Sequence, residues 1–198
     1  FRPERYNGLA LYDEALIPFW NAISEQGLFA GVHGSFGVKM PSFANSRYTN
    51  RFFTHMICHP FEQMAASLDL ICGGVLQRHP DLRVAFLESG LGWLEYWLGR
   101  MDEHFEVMGA MVPWLTRPPS ELFKEQCFIS IEADEAHRLP KIQTLGLEKC
   151  VFWGADYPHY DCTYPGAVKE LEENLAPIDE DLANMIRHGN AARFMGLG

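Results

Sequence analysis

Apolar positions fall into two patterns along the chain. Four short runs are almost continuously apolar and bounded by turn residues: 28–33 (LFAGVH), 82–88 (LRVAFLE), 127–132 (CFISIE) and 150–156 (CVFWGAD). Their length and flanks predict buried strands. Between them the spacing becomes helical. Leu16, Phe19, Trp20 and Ile23 form a stripe that ends at Gly27, a residue suited to the position just past a helix, with Pro18 near the start where a missing N–H costs least. Phe61, Met64, Ala65, Leu68, Ile71, Cys72 and Val75 recur at i, i+3, i+4 and i+7. Trp93, Tyr96, Trp97, Met101, His104, Phe105 and Met108 repeat the rule. Val168, Leu171 and Leu175 start a last stretch, continued by Leu182, Met185 and Ile186 behind Asp179, a candidate N-cap.

Alternation of strands and helices predicts an α/β fold, a parallel sheet with crossover helices. No linker of domain-boundary type interrupts the pattern, so residues 1–198 read as a single domain. The longest irregular stretch runs from Gly34 to about Cys58, and a loop of that length predicts a lid or binding loop.

The ends of the strands bring in chemistry. They finish in His33, Glu88, Glu132 and Asp156, each followed by loop-like sequence. In a parallel barrel or open α/β sheet, side chains at these ends converge on one rim, where active sites form. A rim merely meeting solvent is the bland alternative. His33 and Asp156 are the candidate metal ligands, a neutral imidazole and a carboxylate that suit zinc, manganese or ferrous iron. His55 and His59 stand at i, i+4, but no Glu follows the first His as in H-E-x-x-H, and Pro60 disfavours a helical His59. His59 is better read as a pocket residue. Arg47 and Arg51 on the long loop are candidates to grip a carboxylate, or else exposed loop arginines. Trp153 and His159, with Tyr157, flank Asp156 as candidate walls for a flat substrate, barrel packing being the alternative for Trp153. His79 reads as a surface residue and His104 as packed and hydrogen-bonded.

Charge and composition narrow the partners. Net charge is −10, which argues against nucleic acid or an anionic membrane surface as partner. No apolar run reaches the ~20 residues that span a bilayer. Five cysteines without CxxC spacing indicate neither a zinc ribbon nor a disulfide framework and fit a reduced, cytoplasmic compartment.

Several motifs together carry a resemblance. They are His33-Gly34 after an apolar strand, 74–84 (GVLQRHPDLRV) leading into 86–90 (FLESG), 93–97 (WLEYW) with Arg100 to Asp102, 152–159 (FWGADYPH) and 189–197 (GNAARFMGL). The chain resembles, over essentially its whole length, the amidohydrolase-related family that includes aminocarboxymuconate semialdehyde decarboxylase and γ-resorcylate decarboxylase. That resemblance implies a TIM (β/α)8 barrel of metal-dependent hydrolase type with strands five to eight present and the first half missing. Phe1-Arg2-Pro3 would lie at the exit of strand four. It also implies one divalent metal ion, zinc in the first place with manganese or iron as alternatives, held by His33 and Asp156 and by a first-strand pair that this chain lacks. The family's sixth strand ends in a catalytic His where this chain has Glu88. A Glu there serves as general acid or base if burial raises its pKa. The expected activity is that of a metal-dependent hydrolase or decarboxylase acting on a small carboxylated substrate, aromatic or a ring-cleavage product. Glu88 and Asp156 would be the catalytic residues. The alternative is a catalytically silent half-barrel that serves as a binding or structural subunit, because two open sheet edges favour a homo-oligomer or pairing with the missing N-terminal half.

Overall fold

The computed structural model describes residues 1–34 and 42–197. Four strands, β1 (Phe29–His33), β2 (Arg83–Leu87), β3 (Cys127–Ile131) and β4 (Val151–Trp153), form one parallel sheet in the order β1-β2-β3-β4. The registers place His33 opposite Leu87, Val84 opposite Cys127 and Ile129 opposite Val151. Parallel neighbours need a crossover, and helices supply it. The helices are α1 (Ile17–Glu25), α2 (Arg51–Cys58), α3 (Pro60–Ile71), α4 (Val75–Arg78), α5 (Leu94–Met108), α6 (Pro119–Gln126), α7 (Leu139–Leu145), α8 (Ala167–Leu175), α9 (Glu180–Asn184) and α10 (Asn190–Met195).

Local chemistry explains most of the boundaries. The Asp13 carboxylate accepts from Ala15 N and starts the short turn that feeds α1, and Gly27 follows the helix at φ 63°. Asn50 caps α2 through Phe52 N at 2.9 Å, and Asp179 caps α9 through Asp181 N and Leu182 N. The stripe from Phe61 to Val75 is broken at Gly73-Gly74, where Gly74 sits at φ 81° and begins α4.

Alternate strand residues face opposite ways. Val32, Val84, Phe86, Cys127, Ile129 and Val151 join the large core under the helices, with Leu94, Phe123, Ile142 and Ile186. On the other face Ala85, Phe128 and Phe152 pack beneath Phe194 of α10, and Arg193 lies over the Phe128 ring at 4.4 Å. Strands covered on both faces read as continuous apolar runs, which is why β2 and β3 were legible; β1 is buried on one face only, through Ala30 and Val32.

Four expectations are corrected. The stretch from Gly34 to Cys58 is not wholly irregular, since α2 occupies its end; residues 35–41 lie outside the described residues. His59 has right-handed α backbone angles (φ −83°, ψ −65°) despite Pro60, as the turn residue between α2 and α3. His79 is buried, and His104 is exposed with Nδ1 2.9 Å from Arg100 O. A helix stripe reports which residues share a side, not which of them the next layer covers. Among the described residues, no helix is long and apolar enough to cross a membrane.

Candidate active site

Three of the four ionisable strand-end residues, His33, Glu88 and Asp156, meet at the C-terminal rim of the sheet. His33 is the last residue of β1, and its Nδ1 is tied to Gly34 O. Glu88 leaves β2 with φ 57°, and Asp156 follows β4 with φ 53°. A left-handed backbone at a non-glycine residue costs about 1–2 kcal/mol, and such residues cluster at functional sites. Here each turns its carboxyl group back over the rim. Ser130 Oγ accepts from Glu88 N at 3.0 Å and holds that turn.

The carboxylate of Glu88 is the hub. Its Oε2 lies 2.9 Å from His33 Nε2, and its Oε1 lies 3.5 Å from His59 Nε2 and 3.7 Å from His159 Nδ1. His159 Nδ1 also stands 2.7 Å from Asp156 Oδ2. His33, Glu88 and Asp156 each offer one ligand atom, and these atoms lie within 4.8 Å of one another. Despite the approach of His33, Glu88 Oε2 is buried without a hydrogen bond of good direction.

These contacts set the charge states. Burial pushes the Glu88 pKa up, but the imidazoles of His33, His59 and His159 together outweigh it and hold the carboxyl below its ordinary value. That reverses the condition on which Glu88 was expected to act as an acid. Contact with Glu88 raises the His33 pKa against the opposing effect of burial, and the Asp156 carboxylate raises that of His159. His59 moves the other way, because it is buried and loses hydration.

Above this floor lies a cavity of about 310 Å³, walled by Arg51, His55, His59, His159, Tyr160 and Asp161. A second space of about 800 Å³ shares Arg51, His55 and Tyr160 with it and is bounded also by Phe52 and Met56. Of the substrate-binding residues expected from sequence, Arg51, His59 and His159 line the inner cavity. Arg47 is exposed and is not among the lining residues. Trp153 packs against the core with Nε1 donating to Arg187 O at 3.2 Å. Glu132 follows β3 but does not line the cavity. Sequence reasoning passed over Tyr160 and Asp161; Asp161 Oδ2 is 3.7 Å from His55 Nε2. Their nearness to Asp156 was the available signal. Gln63 was also missed, and no local signal marks it.

The amidohydrolase family model matches residues 2–197. The chain belongs to that family. A curated relative, 2-amino-3-carboxymuconate-6-semialdehyde decarboxylase of Dictyostelium discoideum, is 27% identical over 194 residues, which cover 96% of this chain and 51% of that protein. Among solved structures, 5-carboxyvanillate decarboxylase LigW from Sphingomonas paucimobilis is 27% identical at TM-score 0.74, with 98% of this chain matching 56% of that one. An amidohydrolase from Mycobacterium avium subsp. paratuberculosis shares the fold at TM-score 0.82 and 18% identity, with 98% of this chain matching 50% of that one. The chain thus spans about half the length of the relatives it matches.

Proposed function

We propose that the intact protein is a metal-dependent carboxy-lyase acting on a small carboxylated aromatic substrate, and that β1 to β4 are strands five to eight of a (β/α)8 barrel. The convergence of His33, Glu88 and Asp156, the first two of which line the cavity, carries the reading. Two decarboxylases among the relatives support the reaction class. The share of those relatives that is matched supports the half-barrel. So does the edge of β1, where Phe1 N donates to Gly31 O at 2.7 Å and Phe1 O accepts from His33 N at 3.0 Å, the spacing of a further parallel neighbour.

One imidazole and two carboxylates suit a divalent ion such as zinc or manganese. The buried Glu88 Oε2, lacking a well-directed hydrogen bond, is the atom such an ion would satisfy. His33, Glu88 and Asp156 would hold it, so Glu88 is a donor in this proposal rather than the proton-transfer group. When bound, the ion would supply Lewis-acid polarisation of the substrate. The remaining steps fall to this chain's own side chains. Arg51 at the inner cavity receives the substrate carboxylate, with Phe52 and Tyr160 against the ring. Asp156 holds the His159 ring through Nδ1, which leaves Nε2 as the nitrogen that gives a proton to the ring carbon as carbon dioxide departs. His59, buried beside Glu88, narrows the access of water.

The test is to strip the intact protein with a chelator, reload it with zinc or manganese, and follow carbon dioxide release from hydroxylated benzoates. Release that needs both the ion and Arg51 is expected. A protein that binds one ion yet releases nothing from any such acid would sink the carboxy-lyase reading. A protein that binds no ion would sink the metal site with it.

A further inference from the structure

His59 and Gln63 stand four residues apart across the start of α3 and therefore share a helix face. His59 reaches the Glu88 carboxylate. Gln63 is fully buried and reaches backbone instead. Its Nε2 donates to Val32 O at 2.9 Å and to Leu87 O at 3.0 Å. Those carbonyls belong to the residues immediately before His33 and Glu88, on two strands that pair side by side. Carbonyls can only accept, so the two partners fix which end of the amide is the NH2 group. The opposite atom, Oε1, is buried without a hydrogen-bond partner among the described residues. Among the described residues, the amide is anchored through its two donors alone.

The same device recurs twice, at strand entrances rather than exits. Gln126 Nε2 donates to His79 O at 2.8 Å and Leu82 O at 3.1 Å ahead of β2, and its Oε1 is likewise unpartnered. Asn190 Nδ2 donates to Glu148 O and Val151 O, both at 2.7 Å, around the start of β4. Of these three clamps, that of Gln63 is the one beside the candidate site, and Gln126 provides an internal control at the other end of β2.

We propose that Gln63 is a positioning residue: by holding Val32 O and Leu87 O on one amide, it sets the approach of His33 to Glu88 and so the donor spacing of the metal site. The consequence for metal binding rests on the reading of His33, Glu88 and Asp156 as ligands; the consequence for geometry does not. An apolar side chain of the same length would fill the space but would leave the two strand ends free to part. Groups that orient metal ligands from behind commonly change affinity by about 10–100-fold when replaced.

The test compares Gln63→Met with Gln126→Met in the intact protein. Each removes a buried amide clamp and keeps an unbranched side chain, so both should lower the melting temperature to a similar extent. Cobalt(II) is then titrated into the stripped proteins and followed by its visible absorption. Gln63→Met should weaken binding about tenfold or more and alter the band, whereas Gln126→Met should stay within about twofold. Equal effects of the two substitutions, or no effect of Gln63→Met, overturn the proposal. If Gln63→Met does not fold, Gln63→Asn carries the test, since its shorter amide can reach only one of the two carbonyls and should also weaken binding. A crystal structure of the folded variant reads the geometry without metal. The His33–Glu88 contact should open past about 4 Å, beyond hydrogen-bond reach, and a retained contact overturns the proposal. Failure of the unsubstituted protein to bind cobalt would instead sink the metal reading, and the crystal structure would still decide the role of Gln63.

Discussion

Gly34 follows His33 directly, and a methyl group there would have to enter space already filled. A Cβ built on Gly34 comes 2.7 Å from His59 Nδ1 and 3.3 Å from Cys58 O, whereas ordinary contact begins at 3.4 Å. The ring must therefore retreat by 0.7 Å, and it is buried, with little room for the movement. Overpacking of this kind costs about 1–3 kcal/mol. The backbone contacts at Cys58 O and His59 Cα, 3.3 and 3.4 Å, ask far less. Gly34→Ala should accordingly lower stability by about 2 kcal/mol in the wild-type background and by under about 0.5 kcal/mol in a His59→Ala background. Urea unfolding of the four proteins measures the cycle. With a slope of about 2 kcal/mol/M, the wild-type background should show a midpoint shift of roughly 1 M. Equal shifts in the two backgrounds would refute the reasoning, since the cost would then lie in the backbone and not in the His59 ring.

Asp69 accepts from Leu11 N at 3.0 Å, yet burial raises its pKa above the ordinary 3.8. A raised carboxyl pKa means that the native state bears a penalty that appears as pH rises from 3.8 through the folded pKa and persists above it. Asp69→Asn keeps an acceptor for Leu11 N and should be more stable than the native protein at pH 7, with the gain shrinking toward pH 4; a gain constant with pH in urea titrations would exclude this cause. The cysteines should divide sharply. Burial pushes Cys58 and Cys72 up to about 11, Cys150 to about 12 and Cys127 well above the ordinary thiol value, so at pH 8 a thiol of pKa 11 is ionised to only about one part in a thousand. Cys162, half-buried on the loop after Asp156, should be the one residue of the five alkylated quickly before unfolding. Rapid modification of several thiols in the native protein, read by mass spectrometry, would contradict the burial.

Legibility followed the range of the interactions. The apolar runs of β2 and β3 were visible because burial on both faces leaves no polar alternation to confuse them, β1 was visible although only Ala30 and Val32 of it are buried, and β4 came out only shorter than expected. His33, Glu88 and Asp156 were found through their place at strand ends, which parallel topology turns into a common rim. α6 and α7 went unremarked, and each has few buried apolar residues to signal it.

By itself, then, the sequence determined the α/β class, the positions of the four strands and the ionisable residues at their exits, Glu132 among them, because runs and spacings along a chain dictate which side of each element is buried. Tertiary structure alone decided that His59 reaches Glu88 across an i, i+4 helix face shared with Gln63, that Trp153 packs toward Arg187 rather than the cavity, and that Arg47 stays outside. It also decided the charge of Glu88. Burial favours the neutral acid and three imidazoles favour the carboxylate, and which prevails depends on distances between residues up to 126 positions apart in the chain, from His33 to His159. No local pattern encodes those distances, since they arise only when separate strands and helices pack around one rim.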